Sequence, residues 1–205
     1  MRYALYWLPN PNTDLYQYGY DWFNQAGEFH QTIETMKPLL SYYDFLPALM
    51  TLKKYGFHGE FSPPFHLKNA VSEYDIFSIC QKVAKKISCF DIKMELQNRG
   101  NSLLLSSYYK NSTIINFRKH TFTALADYIE FDKIVTYPKT GKFQIALSNS
   151  YDSAVHQDLT KIAHSYWQQP LKKPISINYF QLCYQTDKNA SFKSLMQFDF
   201  INLLK

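Results

Sequence analysis

YGFHGEFSPPFHL, residues 55–67, is the stretch of sequence from which we predict the fold. Its aromatic residues, and their alternation with polar residues, are typical of a short strand. Because strand side chains alternate between two faces, we expect His58, Glu60 and Ser62 on one face and the neighbouring phenylalanines on the other, against a core. Pro63 and Pro64 end the strand, since neither can donate a backbone hydrogen bond. The sequence therefore predicts an imidazole and a carboxylate side by side on one face.

Outward from this stretch, strands alternate with amphipathic helices, and two hairpins interrupt the alternation. Residues 90–108 form the first predicted hairpin, with a turn at residues 98–101, and residues 175–200 form the second. Residues 28–38 show no clear period and are predicted to be a loop. Ser72 and Asn111 are predicted to cap helices. We therefore expect an α+β fold with two mixed or antiparallel sheets, as a single domain over residues 1–205 without a low-complexity linker.

Composition excludes several classes of protein. The net charge is +5, aromatic residues make up 18% of the chain, and glycine occurs only six times, so a glycine-rich phosphate loop is not expected. Three cysteines without a Cys-x-x-Cys spacing argue against a disulfide framework and against structural zinc. No apolar run approaches the roughly 18 residues of a membrane span. We expect a cytoplasmic protein with no cofactor, no bound metal and no membrane association.

Three patches of the sequence carry a resemblance to a known family. Residues 2–6, RYALY, look like a first strand, residues 55–58 with 63–67 resemble a first-motif region, and residues 182–200 resemble a last hairpin. Together they resemble the two-histidine phosphoesterase superfamily, which includes RNA 2′,5′-ligase-like proteins and cyclic nucleotide phosphodiesterases. The most similar branch is one associated with phosphonate utilisation operons.

The resemblance implies a bilobal fold with pseudo-twofold symmetry and helices on the outer faces. Each lobe would contribute one His-x-Thr/Ser motif to a central cleft. The implied mechanism needs no metal, because one imidazole deprotonates the attacking water or hydroxyl and the other protonates the leaving oxygen. The hydroxyl side chains of the motifs would hold the phosphate oxygens.

The sequence departs from this pattern at three of the four motif positions. His58 stands where the first histidine is expected, but Glu60 replaces the hydroxyl residue. The second motif is expected on the strand 143–148, where Gln144 replaces the histidine and Ala146 replaces the hydroxyl. A glutamine can hydrogen-bond but cannot exchange a proton at neutral pH. We therefore expect a ligand-binding cleft lined by His58, Glu60, Gln144, Ala146 and Ser148 in which the two-histidine reaction is lost.

Three functions remain open from the sequence. The first is a degenerate member of the superfamily that binds a nucleotide, an RNA end or another phosphorylated ligand. The second is an active phosphodiesterase or hydrolase with a rebuilt site, in which His58 is the base and Glu60 its orienting or acidic partner. The third is a protein-interaction module that uses a tyrosine-rich surface.

Other residues offer weaker candidates. His156 or His164 would replace the missing histidine if the second motif lay in another register, and His66 would complete a metal site with His58 and Glu60. Phosphate contacts and base stacking are conceivable for a set of basic and aromatic residues: Arg99, Lys110, Arg118, Lys119, Lys139, Lys142, Tyr108 and Tyr109.

Overall fold

The computed structural model describes residues 1–24, 27–36, 46–131, 141–149 and 153–202. The helices in these ranges are α1 Asp14–Asn24, α2 Gly27–Met36, α3 Leu46–Lys53, α4 Glu73–Ala84, α5 Ser112–Leu125 and α6 Ser153–Trp167. The strands are β1 Arg2–Trp7, β2 Gly59–Glu60, β3 Phe65–Leu67, β4 Phe90–Ile92, β5 Met94–Arg99, β6 Ser102–Ser107, β7 Ile129–Phe131, β8 Gln144–Ala146, β9 Ile175–Ile177, β10 Tyr179–Gln185 and β11 Lys193–Asp199. Helices and antiparallel sheets occur together, which confirms the α+β prediction.

Within the described residues, the strands form three sheets, and the pairings between these strands are antiparallel. One sheet has the order β11-β10-β1-β3-β7, with β2 also paired to β1; a second has the order β5-β6-β8; a third consists of β4 and β9. The prediction of two sheets is therefore wrong for the described residues. The strand predicted from residue 175 is interrupted at Asn178, so β9 pairs with β4 while β10 pairs with β1.

Strand β1 is an inner strand of the largest sheet and is covered on both faces. Tyr3, Leu5 and Trp7 are buried in the main hydrophobic core, whereas Ala4 and Tyr6 belong to a second, smaller cluster on the opposite face. Alternation along a strand sends successive side chains to opposite faces. A strand covered on both sides needs apolar or aromatic residues at nearly every position, and β1 has them.

Two predicted helix starts are confirmed. The Ser72 hydroxyl accepts from the Asp75 N–H and the Asp75 carboxylate accepts from the Ser72 N–H, which is a capping box. The Asn111 side chain accepts from the N–H groups of Thr113 and Ile114 at the start of α5. Among the described residues, no helix has the length and apolar character needed to cross a membrane.

One predicted loop is a helix. Most of the segment 28–38 belongs to α2, and residues 37–38 lie outside the described residues. Phe29 is fully buried, with its ring centroid 4.6 Å from that of Trp22 and 5.2 Å from that of Tyr166. The aromatic contacts with α1 and α6 stabilise this helix, and such contacts cannot be seen from its short local pattern.

The first predicted hairpin is confirmed for residues 94–107, whereas residues 90–92 form the separate strand β4, which pairs with β9. Strands β5 and β6 pair in register from Met94 opposite Ser107 to Arg99 opposite Ser102. Gly100 in the turn has a φ of 59°, in the left-handed region that favours glycine. This hairpin matters for the site because β6 is also the partner of β8, the strand predicted to hold the second motif.

Candidate functional site

Strands β2 and β8, which carry the two predicted motifs, lie against each other although they belong to different sheets. A Cβ atom added to Gly59 of β2 would lie 1.9 Å from Cζ of Phe143, the residue before β8. The ring centroids of Phe61 and Phe143 are 5.3 Å apart. Glycine between His58 and Glu60 thus allows the two motif strands to approach each other.

A buried arginine also joins the two motif strands. Arg118 of α5 is only 6% exposed. Its Nη2 donates to the Glu60 carbonyl oxygen at 3.0 Å and its Nη1 donates to the Lys142 carbonyl oxygen at 3.2 Å. The prediction that Arg118 contacts phosphate at the surface is therefore wrong, because its guanidinium is buried on backbone carbonyls.

Two matching sets of hydrogen bonds, each made by a serine, hold the chain that follows each motif. The Leu5 N–H donates to the Ser62 hydroxyl at 2.9 Å, and the Leu103 N–H donates to the Ser148 hydroxyl at 2.9 Å. In return, the Ser62 N–H donates to the Leu5 carbonyl at 3.1 Å, and the Ser148 N–H donates to the Leu103 carbonyl at 3.2 Å. The pair β1–β2 and the pair β6–β8 therefore end in the same way.

The register of the two strand pairs agrees with these bonds. Glu60 lies opposite Tyr6, one residue beyond Leu5, and Ala146 lies opposite Leu104, one residue beyond Leu103. Glu60 lies two residues before Ser62 and Ala146 lies two residues before Ser148, so Glu60 and Ala146 occupy equivalent positions. His58 and Gln144, two residues earlier, are equivalent by the same count. The sequence interpretation pairs the same residues, His58 with Gln144 and Glu60 with Ala146.

The burial of residues 58–60 matches that of residues 144–146, position by position. His58 and Gln144 are half-buried, Glu60 and Ala146 are exposed, and the residues between them face the core. Side chains at alternate strand positions lie on the same face. Glu60, Gln144 and Ala146 thus lie on the outer sides of β2 and β8, and His58 directly precedes β2. We refer to these four residues as the motif surface.

One predicted cleft residue lies elsewhere. Ser148 is 4% exposed, and its hydroxyl is occupied by the Leu103 N–H. Ser62, expected on the face of His58, is 2% exposed and bonded to Leu5 in the same way. Both serines cap the backbone of a neighbouring strand and do not face a ligand. A serine four residues after each of the two histidine positions, 58 and 144, is a signal by which this repeat could have been recognised in the sequence.

The His58 ring is oriented by a backbone carbonyl. Its Nδ1 lies 3.0 Å from the Gly56 carbonyl oxygen, and its ring centroid lies 4.1 Å from that of Tyr6. A carbonyl oxygen only accepts, so Nδ1 carries the hydrogen and the neutral ring keeps a lone pair on Nε2. Burial lowers the pKa of His58, which favours this neutral form. The expected role of Glu60 as the orienting partner therefore belongs to Gly56.

Glu60 is exposed as a residue, while its carboxyl group is partly desolvated by the surrounding protein. Burial raises the pKa of its carboxyl group, and the nearby Arg118 guanidinium opposes that shift. Tyr6, opposite Glu60, has its pKa raised by burial and then by the Glu60 charge, so its hydroxyl is neutral. The first half of the motif surface thus consists of a neutral imidazole and a carboxyl group, with the neutral phenol of Tyr6 beside them on β1.

The second half of the motif surface carries no titratable side chain. Gln144 lies opposite Ser106, whose hydroxyl is fully buried and has no hydrogen-bond partner among the described residues. Nearby, the Lys142 ammonium lies 3.8 Å from the Glu95 carboxylate. An amide and a methyl group therefore stand at the positions where the resemblance implies a histidine and a hydroxyl.

The other histidines do not repair the site. His156 and His164 lie on α6, whereas the position equivalent to His58 is occupied by Gln144. His66 is on β3, with Nδ1 2.9 Å from the Met1 carbonyl oxygen. Among the described residues, no three His, Cys, Asp or Glu side chains form a group that could hold a metal ion. The metal hypothesis built on His58, Glu60 and His66 is therefore not supported.

Sequence reasoning missed a cavity of about 800 Å³ at another place in the fold. It lies between the end of β1, the start of α1 and the segment that precedes β9, and Trp7, Asp21 and Tyr179 are among the residues that line it. No residue of the motif surface borders it. Its walls come from three distant segments of the chain, which explains why no local motif signals it.

A scan against models of protein families found no match, and a search of curated proteins found none either.

Proposed function

We propose that this protein has the bilobal fold of the two-histidine phosphoesterases and binds a nucleotide, an RNA end or another phosphorylated ligand at the motif surface, with the two-histidine reaction lost. The observation that supports the proposal is the equal register of β1–β2 and β6–β8. The same register makes Gln144 the counterpart of His58, which supports the proposal that Gln144 stands at the position of the second histidine.

The loss of catalysis follows from the two proton transfers that the reaction requires. Hydrolysis of a phosphodiester by two histidines needs one group to take a proton and another to give one. Neutral His58 can accept a proton on Nε2, but the Gln144 amide cannot donate one as an acid at neutral pH. Removing one member of such a pair costs a factor of about 10² to 10⁴ in rate. Binding does not need the transfer and can persist.

A second candidate function is a hydrolase that uses His58 and Glu60. One specific observation favours it, since burial shifts the pKa values of these two neighbouring groups in opposite directions. Neighbouring groups whose pKa values are shifted by burial are typical of acid and base pairs at active sites. In this scheme His58 Nε2 takes the proton from water and the protonated Glu60 gives one to the leaving oxygen.

Calorimetric binding and turnover measured on the same samples test both functions. The ligands are 5′-nucleotides, 2′,3′-cyclic nucleotides, 2′,5′-linked dinucleotides and RNA ending in a cyclic phosphate. We expect saturable nucleotide binding without turnover, weakened in His58→Ala and in Gln144→Ala. His66→Ala is the matched control, because it removes an imidazole from β3 outside the motif surface. Turnover that disappears in His58→Ala would replace the first function by the second, and absence of binding would refute the proposal.

A gain-of-function variant tests the assignment of positions. The substitutions Glu60→Thr, Gln144→His and Ala146→Thr together restore two His-x-Thr motifs. If the correspondence is right, the triple variant should hydrolyse 2′,3′-cyclic nucleotides about 10² to 10⁴ times faster than the unmodified protein. A folded triple variant without this gain would mean that the two strands do not form one catalytic site.

A further inference from the structure

The first half of the motif surface offers hydrogen-bond acceptors. The Gly56 carbonyl holds the hydrogen on Nδ1 of His58, so the Nε2 atom of the neutral ring can only accept. Glu60, when its carboxyl group is ionised, likewise has acceptor atoms only. A ligand group that satisfies both residues must bring donors, which an ionised phosphate lacks.

Two cations close to the motif strands, Arg118 and Lys142, contact other oxygens. The Arg118 guanidinium donates to the carbonyl oxygens of Glu60 and Lys142, and the side chain is buried. The Lys142 ammonium lies 3.8 Å from Glu95. A phosphate placed against Glu60 would therefore meet a carboxylate whose neighbouring cations already serve other oxygens.

We infer that the ligand group bound by His58 and Glu60 is an unphosphorylated ribose 2′,3′-diol and not a phosphate. This inference rests on the proposed function, because it takes a nucleotide or an RNA end as the ligand and specifies which part meets the motif surface. Two neighbouring hydroxyls can donate to the two carboxylate oxygens, or one to Glu60 and one to His58 Nε2. An acidic side chain that accepts from a ribose hydroxyl is a known solution in dinucleotide-binding folds.

Geometry on the strand agrees with this ligand. Glu60 lies on β2 and His58 directly precedes that strand. In an extended backbone residues two apart are separated by about 7 Å between Cα atoms, a spacing at which two side chains can contact one sugar. Ala146, at the position equivalent to Glu60, is small and exposed and leaves room opposite the sugar. Gln144 has both donor and acceptor atoms and can bond to a base or to a phosphate elsewhere on the ligand.

Matched ligands provide the test. Affinities for each 5′-monophosphate are compared with those for its 2′-deoxy and 3′-deoxy forms, and with those for the corresponding nucleoside bearing a 2′,3′-cyclic phosphate. We expect the diol to bind at least tenfold more tightly than the deoxy and cyclic forms. In Glu60→Gln, which replaces one acceptor oxygen by a donor at nearly constant size, this preference should fall below threefold. Glu130→Gln, an exposed carboxylate on β7, is the control and should keep the preference.

A second substitution covers the case in which Glu60→Gln perturbs the fold. Glu60→Thr restores the hydroxyl that the resemblance implies and should shift the preference toward the cyclic phosphate. Nucleotides that bind without preferring the diol, or that bind the cyclic phosphate more tightly, would refute this inference and leave the proposed function standing. Failure of every nucleotide to bind would refute the proposed function and the inference together.

Discussion

Replacing Gly59 by alanine tests whether the close approach of the motif strands is essential. The added Cβ would lie 1.9 Å from Cζ of Phe143 and 2.6 Å from Cε1, well inside ordinary van der Waals contact. Either β2 or the ring must therefore move by more than 1 Å, an estimate that follows from contact distances of about 3.5 to 4.0 Å. The backbone itself does not oppose alanine, because Gly59 is not among the glycines with positive φ.

The size of the effect follows from the surroundings of Phe143. The ring is fully buried, 5.7 Å from the Trp7 ring and 5.3 Å from the Phe61 ring, so it has no space into which to retreat. Overpacking of a dense core costs about 1 to 3 kcal/mol, and we expect the upper half of that range. Each kcal/mol lowers the Tm of a chain of this length by about 2 to 4 °C. Gly59→Ala should therefore lower the Tm by roughly 4 to 12 °C.

Thermal and urea unfolding followed by circular dichroism measure the loss. Gly100→Ala is the control, because that glycine has open space around it but a φ of 59°, and alanine there costs about 1 to 2 kcal/mol for the left-handed backbone alone. Phe143→Leu combined with Gly59→Ala should recover part of the loss, since the smaller side chain gives way to the new methyl group. A Tm for Gly59→Ala within 1 °C of the unmodified protein would refute the close approach of the strands.

Three further predictions concern the same region. Ser62→Ala and Ser148→Ala should each lower the unfolding free energy by about 1 to 3 kcal/mol in urea titrations, because each leaves a buried strand N–H without its acceptor; clearly unequal losses would contradict their equivalence. His58 has a lowered pKa in the folded protein, so the fold should lose stability as the pH falls below 6.5, and His58→Gln should abolish that loss in unfolding experiments across pH. Glu60 has a raised pKa in the folded protein, so its ionisation should lower the stability of the fold as the pH rises above 4.5. The unfolding free energy of Glu60→Gln, relative to that of the unmodified protein, should therefore increase as the pH rises above 4.5. A stability difference from Glu60→Gln that stays constant with pH would show that the carboxyl group is not crowded.

Local patterns in the sequence were enough to predict the hairpin β5–β6, the caps of α4 and α5 and the outward face of the motif residues. Turn chemistry, capping and alternation act over a few residues, so a single sequence reveals them. Helix α2 was missed because its buried Phe29 packs on Trp22 and Tyr166, which are contributed by other helices. The short extent of β2 follows from the glycine turn at Gly56, with a φ of 70°, and from the two prolines that follow Ser62.

The parts of the site that sequence reasoning missed depend on contacts between distant residues. Arg118 looked like a surface cation, yet the fold buries it on two backbone carbonyls that are far from it in sequence. Ser148 is predicted to line the cleft and Ser62 to share the face of His58, yet each accepts a hydrogen bond from a neighbouring strand. Burial of a polar side chain is set by what packs around it, and a one-dimensional pattern does not contain that information.

The inner position of β1 has a consequence for the time order of folding. Its partner β10 is distant along the chain: Arg2 and Gln185, which are hydrogen-bonded, stand 183 residues apart. At about 5 to 20 residues per second, the ribosome needs roughly 10 to 40 s to make the chain between them. Throughout that interval Tyr3, Leu5 and Trp7 lack the strand that completes their sheet, so this nascent chain should present an apolar, unpaired edge to chaperones before it can fold.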